Sequence, residues 1–291
     1  MANKKYEEAD IQAIATTIRE KTGTDKLYDT SEMASGVDDV YEAGQQAQRK
    51  QWWESYLSLD KHWYYMFGSP AWDDEAFDPC VDIVVPQGKF ATNMFYMSGI
   101  TDLEALLKKN NVRLDTSKAY RADSMFKSSK ITCLPELDVS NVGRGTVKNI
   151  NEMFYQCADL HTIRKIIISN VYEVTTGKST FSGCTSLANI EFGGTIWTDI
   201  NMSVCPLTVD SMKSIITHLK NYTGITDTSG GSLEMKYTLT LKDTCRIELE
   251  SVSFTDEDKR LLEENGITVA DGTTWISVIG DLKWNLVWAT A

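Results

Sequence analysis

The sequence predicts an α/β fold in three parts: a helical amino-terminal segment, a short irregular solenoid of stacked repeats, and a small α+β cap. Three observations predict it. Apolar residues recur with a helical period before residue 58, a Met-Phe pair occurs four times between residues 59 and 206, and mixed helix and strand patterns occupy residues 207–291.

In residues 1–58, Ile11, Ile14, Ala15 and Ile18 fall at i, i+3, i+4 and i+7, one face of a helix, and Gly23 supplies a stop. A second helix is expected from Thr30 or Ser31 through Glu42 toward Tyr56. Met33, Val37, Val40, Gly44 and Ala47 share one of its faces at spacings of 4, 3, 4 and 3, the spacing of a coiled-coil seam. Gly44 and Ala47 bury little, so the stripe suits either a hairpin with the first helix or a close-approach seam between copies of the chain.

Residues 59–206 carry the repeat. Met66-Phe67, Met94-Phe95, Met125-Phe126 and Met153-Phe154 are succeeded by Thr180-Phe181, and the phenylalanines lie 28, 31, 28 and 27 residues apart. Ser98, Ser129, Cys157 and Cys184 stand three residues after the last four of them, and aliphatic triples come next, such as Ile131, Leu134, Leu137 and Leu160, Ile163, Ile166. One such unit cannot bury its apolar face, but a stack can, with Phe67, Phe95, Phe126, Phe154 and Phe181 as a core ladder. Segments such as Leu137–Ser140 and Ile166–Ser169 suit short strands, and the Met-Phe segments suit turns on the other side. This is the pattern of a short leucine-rich-repeat solenoid. Cys157 and Cys184 then read as compact core thiols rather than as disulfide or metal partners.

From residue 207 onward, Thr208 can cap a helix bearing Met212, Ile215, Ile216 and Leu219, ended by Gly224. Tyr237, Leu239 and Leu241 alternate as a strand, and Ile247 with Leu249 does the same. Thr255 and Asp258 suggest a capping box for a helix ending at Asn265-Gly266. Ile267 with Val269, Trp275–Val278 and Trp284–Trp288 are candidate strands. Such a module would close the open end of a repeat stack.

Lys plus Arg number 29 against 41 Asp plus Glu, a formal charge of -12 that repels phosphate backbones and argues against nucleic acid as partner. No long apolar run points to membrane insertion. The six cysteines and three histidines are dispersed, and no nucleophile elbow, phosphate loop, zinc or calcium motif is present, so neither cofactor nor metal is expected. The acidic Asp73-Asp74-Glu75 run is the one hint of sugar hydrolysis, and solvated surface is its ordinary reading. Trp52, Trp53, Trp63, Tyr64, Tyr65 and Trp72 crowd into 21 residues. They suit a hydrophobic junction between the first helices and the repeats, or an exposed glycan-binding surface.

The unit Thr180-Phe-Ser-Gly-Cys-Thr-Ser-Leu-Ala-Asn-Ile-Glu-Phe192 resembles BspA-like leucine-rich repeats. Leu137-Asp-Val-Ser-Asn-Val142, leading into Asn151-Glu-Met-Phe-Tyr-Gln-Cys157, is similar to their variant that opens on Met-Phe. The stretch from Tyr6 to Gly23, Met33–Ala43 and the segment from Trp52 to Pro79 resemble the flanks of such repeats in tail-associated proteins of phages and prophages of gut Firmicutes. The helices after Leu207 resemble the segment on the carboxy-terminal side of the repeats in those proteins. Gly99–Asn111 and residues 171–180 depart from the pattern, as surface drift or as ligand-facing loops. The resemblance implies a virion component and carries no catalytic residue.

The functional expectation is therefore a non-enzymatic structural or host-binding component of a phage tail or baseplate that presents its repeats as a binding surface. The alternatives are a bacterial cell-surface or secreted leucine-rich-repeat adhesin and a glycan-degrading enzyme. Expected partners are further copies of the chain, as a trimer through Met33, Val37, Val40, Gly44 and Ala47, other tail or baseplate proteins, and a host cell-surface protein or glycan. The opening residues lack the apolar stretch of a signal peptide, so a chain made in a bacterial cytoplasm and carried in a virion is expected.

Overall fold

In a computed structural model, residues 13, 16–21, 33–58, 63–143, 150–169, 179–225 and 237–290 are described. The chain separates into two compact units, Met1–Leu59 and Asp60–Ala291.

In the first unit, residues 16–21 are helical and Ile18 is buried. Ile11, Ile14, Ala15 and Gly23, the other marks of the expected first helix, lie outside the described residues, as do Thr30 and Ser31. The long helix α1 spans Met33–Ser58. Near its end Trp52 stacks on Tyr56, four residues on, with centroids 5.1 Å apart, while the buried Trp53 meets Trp52 edge-on. The Trp52–Tyr56 contact is one that the helical i,i+4 spacing provides.

In the second unit, β1 (Ile83–Val84) pairs with β2 (Leu114–Asp115), after the helix α2 (Leu103–Lys109). Then β3 (Cys133–Asp138), β4 (Thr162–Ile167) and β5 (Asn189–Gly193) form a second parallel sheet in that order. A third sheet runs β6–β7–β8, from Ile200–Met202, Tyr237–Lys242 and Trp284–Ala289, also parallel. The helix α3 (Val209–Thr217) lies between β6 and β7 in sequence. A 3₁₀ turn, α4 (Arg246–Ser251), α5 (Asp256–Glu264) and α6 (Trp275–Asp281) lie between β7 and β8. β6 precedes residue 207, where the terminal module was expected to begin, yet its ladder is with β7.

These three discrete parallel sheets, of two, three and three strands, correct the expected fold class. A continuous, curved leucine-rich-repeat solenoid does not form, and the fold is α/β with separate sheets. The breaks have local causes. Residues Gly99–Asn111, absent from a regular unit, include α2, capped by the Asp102 carboxylate, and there the second sheet is met by an isolated Asp102–Cys133 bridge instead of a strand. Where the strand ladder would continue from β2 to β3, the Thr116 hydroxyl donates to the Asp138 carbonyl. At the far edge of β5, the Ser211 and Ser214 hydroxyls of α3 accept from the Ile190 and Phe192 N–H groups at 2.9 and 2.8 Å, so a helix covers the edge where another strand would add.

The Met-Phe segments form turns that stack without interruption. The N–H groups of Phe67, Phe95, Phe126 and Phe154 donate to the carbonyls of Met94, Met125, Met153 and Thr180, each the residue before the next unit's phenylalanine, at 2.7–3.0 Å. Two residues further on, Met97, Ser128 and Gln156 donate to Lys127, Tyr155 and Ser182. The rings of Phe95, Phe126, Phe154 and Phe181 succeed one another at centroid distances of 5.1, 5.7 and 5.4 Å, and all are buried. Phe67 joins the end of the row through Phe95 and packs edge-on to Trp72 and Phe77.

The last helices differ from their expected form. Ile247 and Leu249 lie on α4, with Ile247 exposed and Leu249 buried. Trp275–Val278 lies on α6, where Thr274 and Ser277 make a reciprocal capping box. Ile267 and Val269 are in neither strand nor helix. Of the irregular stretch 171–180, residues 171–178 lie outside the described residues.

Candidate functional site

The stacked turns position a row of side chains on their outer face. Each turn places its phenylalanine inward, and the next residue lies half-buried on the outer side: Tyr96, Lys127, Tyr155 and Ser182 in successive units. Positive φ at the residues flanking the phenylalanine makes this possible. Asn93 and Met97, Ser124 and Ser128, and Glu152 and Gln156 lie at φ of 55, 55, 54, 58, 54 and 61° in that order. The left-handed conformation costs a non-glycine residue about 1 kcal/mol, and here the ladder of inter-turn hydrogen bonds holds it.

The first unit completes the row differently. The residue after Phe67 is Gly68, where a Cβ would come within 2.8 Å of the Tyr65 ring. Tyr65, itself at φ 64°, therefore occupies the place that the side chain of residue 68 would take. Its ring meets Tyr96 at 5.4 Å and Tyr64 at 4.7 Å, both edge-on. Tyr64 and Tyr65 are exposed, as is Met97 beside Tyr96. Partial burial and the neighbouring phenols hold the Tyr65 hydroxyl above its ordinary pKa, so it is a neutral hydrogen-bonding group across the physiological range.

Lys127 stands between Tyr96 and Tyr155 in the row. Its ammonium lies 4.9 Å from the Tyr155 ring centroid and 2.7 Å from Glu152 Oε2, which also accepts from the Ser124 hydroxyl. The Glu152 hydrogen bond raises the Lys127 pKa, and the two side chains form an ion pair with no net charge. To one side, Arg121 binds Asp123 through two hydrogen bonds and covers the exposed Phe90 ring at 5.4 Å. The surface is aromatic, polar and locally balanced in charge.

Of the six aromatics grouped by sequence, Trp52 and Trp53 belong to α1 in the first unit. Trp63 is buried, and Trp72 is half-buried against Phe67 and Phe77. Only Tyr64 and Tyr65 join the outer row. Tyr96, Lys127 and Tyr155 were missed by reading local density alone, although their place one residue after each repeat phenylalanine marks them.

The candidate interface stripe is on α1, where Val40 is half-buried and Gly44 and Ala47 are exposed; the side chains of Met33 and Val37 lie outside the described residues. Cys157 and Cys184 are fully buried, and each donates its thiol to the preceding unit's phenylalanine carbonyl, Phe126 at 2.9 Å and Phe154 at 3.0 Å.

Groups with catalytic chemistry are engaged structurally. Asp73 Oδ1 accepts from the Glu75 and Ala76 N–H groups, and both Asp74 oxygens are held by Thr101. A groove of about 520 Å³ beside α2 is lined by Glu104, Lys108, Arg113 and Glu136. Glu104 there pairs with Arg164 and accepts from the Cys133 thiol, whose pKa burial and that carboxylate push up to about 11. Burial lowers the His218 pKa, and its Nδ1 lies 2.7 Å from the Ser214 carbonyl. Among the described residues, no three His, Cys, Asp or Glu side chains gather to hold a metal, and no helix is long and apolar enough to cross a membrane.

Compared with family models, with curated proteins and with solved structures, the chain matches none. With no homology behind it and no continuous solenoid beneath it, the resemblance to BspA-like leucine-rich repeats of phage tail and baseplate proteins does not hold.

Proposed function

We propose that the protein is a non-enzymatic binding component that attaches to a cell surface through the outer face of its stacked turns, and that copies of the chain associate through α1. The observation that carries the reading is the placement of Tyr65, Tyr96, Lys127 and Tyr155 at successive levels of one stack. A rigid row on backbone-bonded turns loses little entropy on binding, and aromatic rings supply contact area with few rotatable bonds. The engagement of Asp73, Asp74 and Glu104 in structural hydrogen bonds supports a binding rather than a hydrolytic role.

The test is co-sedimentation of the full chain with insoluble bacterial cell envelopes, compared with Tyr96→Ala/Tyr155→Ala. Retention of the parent chain and loss in the variant, at an unchanged melting temperature, is the expected result. Equal retention of both would refute the outer face as the binding surface.

A further inference from the structure

We infer that the ligand of the outer row is a neutral, extended glycan lying along the stacking direction, one sugar ring against each aromatic level. The inference rests on the reading of the row as a binding surface and adds the class of ligand. Stacked phenylalanine rings set the levels 5.1–5.7 Å apart, so a linear polymer meets Tyr65, Tyr96 and Tyr155 in order. Pyranose rings present C–H faces that pack on aromatic rings, and their edges carry hydroxyls.

Polar side chains stand beside the aromatic row. Ser128 and Gln156 stand two residues after their phenylalanines, Ser128 half-buried and Gln156 exposed, while the buried Asn93 and the Ser124–Glu152 pair, which also holds Lys127, belong to the turns themselves. The Ser128 hydroxyl and the Gln156 amide both donate and accept, the pattern that sugar hydroxyls require.

Charge decides between glycan classes. The row's cation, Lys127, is neutralised by Glu152 at 2.7 Å, and Arg121 is neutralised by Asp123 at 2.8 Å. A polyanion would approach a chain of net charge -12 and find both of these cations already paired.

The experiment is affinity electrophoresis of the full chain in native gels holding, separately, a soluble β-glucan, an α-mannan, a galactan, alginate or hyaluronate. Retardation by at least one of the three neutral polymers is expected, with none by the two acidic ones. Tyr96→Ala/Tyr155→Ala should weaken that retardation about tenfold, and Tyr96→Phe/Tyr155→Phe should largely keep it, since the stacking face survives. Silence of all neutral polymers, preference for an acidic one, or retardation indifferent to the alanine pair would each overturn the inference. If envelope binding is lost in the alanine pair while the neutral polymers stay silent, the ligand class is wrong but the binding face stands. If envelope binding ignores the alanine pair, the face itself is wrong.

Discussion

The rings of Phe126 and Phe154 lie nearly parallel, 10° between planes and 5.7 Å between centroids, and the Phe126 N–H donates to the carbonyl of Met153, just before Phe154. One residue thus contributes to the core and to the turn ladder together. The outer row is rigid because the inner row is packed: moving Tyr155 means moving the backbone on which Phe154 is locked.

Phe154→Ala should cost about 3–5 kcal/mol, because it removes a fully buried ring between two others and the backbone ladder prevents the turns from closing the gap. Urea unfolding of the two proteins checks this. A midpoint within error of the parent's would mean that the ring row contributes little to stability.

Cys157 and Cys184 should resist thiol reagents in the folded protein. Burial pushes the Cys157 thiol up to about 11 and drives Cys184 strongly in the same direction, and both thiols donate to carbonyls. With Ellman's reagent at pH 8, both should label only at the rate of unfolding. Fast labelling of either in native buffer would place it outside the core.

Lys213 and Asp258 form a largely buried pair at 2.9 Å beneath the Trp275 ring, and Asp258 also accepts from the Thr255 N–H. Burial opposes ionisation of Asp258, but the Thr255 and Lys213 hydrogen bonds outweigh it and hold the pKa below its ordinary value. A depressed carboxylate pKa adds stability that is complete above the unfolded value of about 3.9 and is lost as pH falls toward the folded one. Asp258→Asn should therefore lower stability by about 3 kcal/mol at pH 7, since it strands the Lys213 ammonium. Below pH 4 its melting temperature should fall less steeply than the parent's. Lys213→Met should cost less, because Asp258 keeps its Thr255 partner. Equal losses in the two variants would refute this asymmetry.

The sequence marked the helices whose caps it spelled out. Thr208 accepts from the Ser211 N–H, and Thr255 with Asp258 forms the anticipated reciprocal box. It misled where two apolar residues stood for a period. Ile247 and Leu249 alternate over too short a stretch to separate strand from helix, whereas the Arg246–Glu250 pair at i,i+4 has helical spacing. On α6 and its cap, the buried set Trp275, Val278, Ile279 and Leu282 has spacings of 3, 1 and 3, a helical rhythm that a four-residue window conceals. The repeat was visible in its phenylalanines, but the separation of its sheets was not. The break after β5 depends on Ser211 and Ser214 reaching its edge from 21 and 22 residues away. The outer row was hidden because Tyr96 and Tyr155 are 59 residues apart in sequence and two levels apart in the stack.

Association through α1 can be tested at Gly44. The glycine is exposed, and a Cβ there would meet no atom within 4 Å, so the isolated chain has no steric need for it. In a helix interior glycine costs about 1 kcal/mol relative to alanine, and Gly44→Ala should therefore leave folding intact or strengthen it. A seam between copies is different, because there a glycine admits the neighbouring backbone and a charged side chain would hold it away. By light scattering, the parent chain should give a mass above 32.7 kDa, three times that value for the favoured trimer. Gly44→Glu should return it to the single-chain mass without lowering the melting temperature of Asp60–Ala291. A parent mass of 32.7 kDa across a wide concentration range would end the proposal that α1 joins copies of this chain.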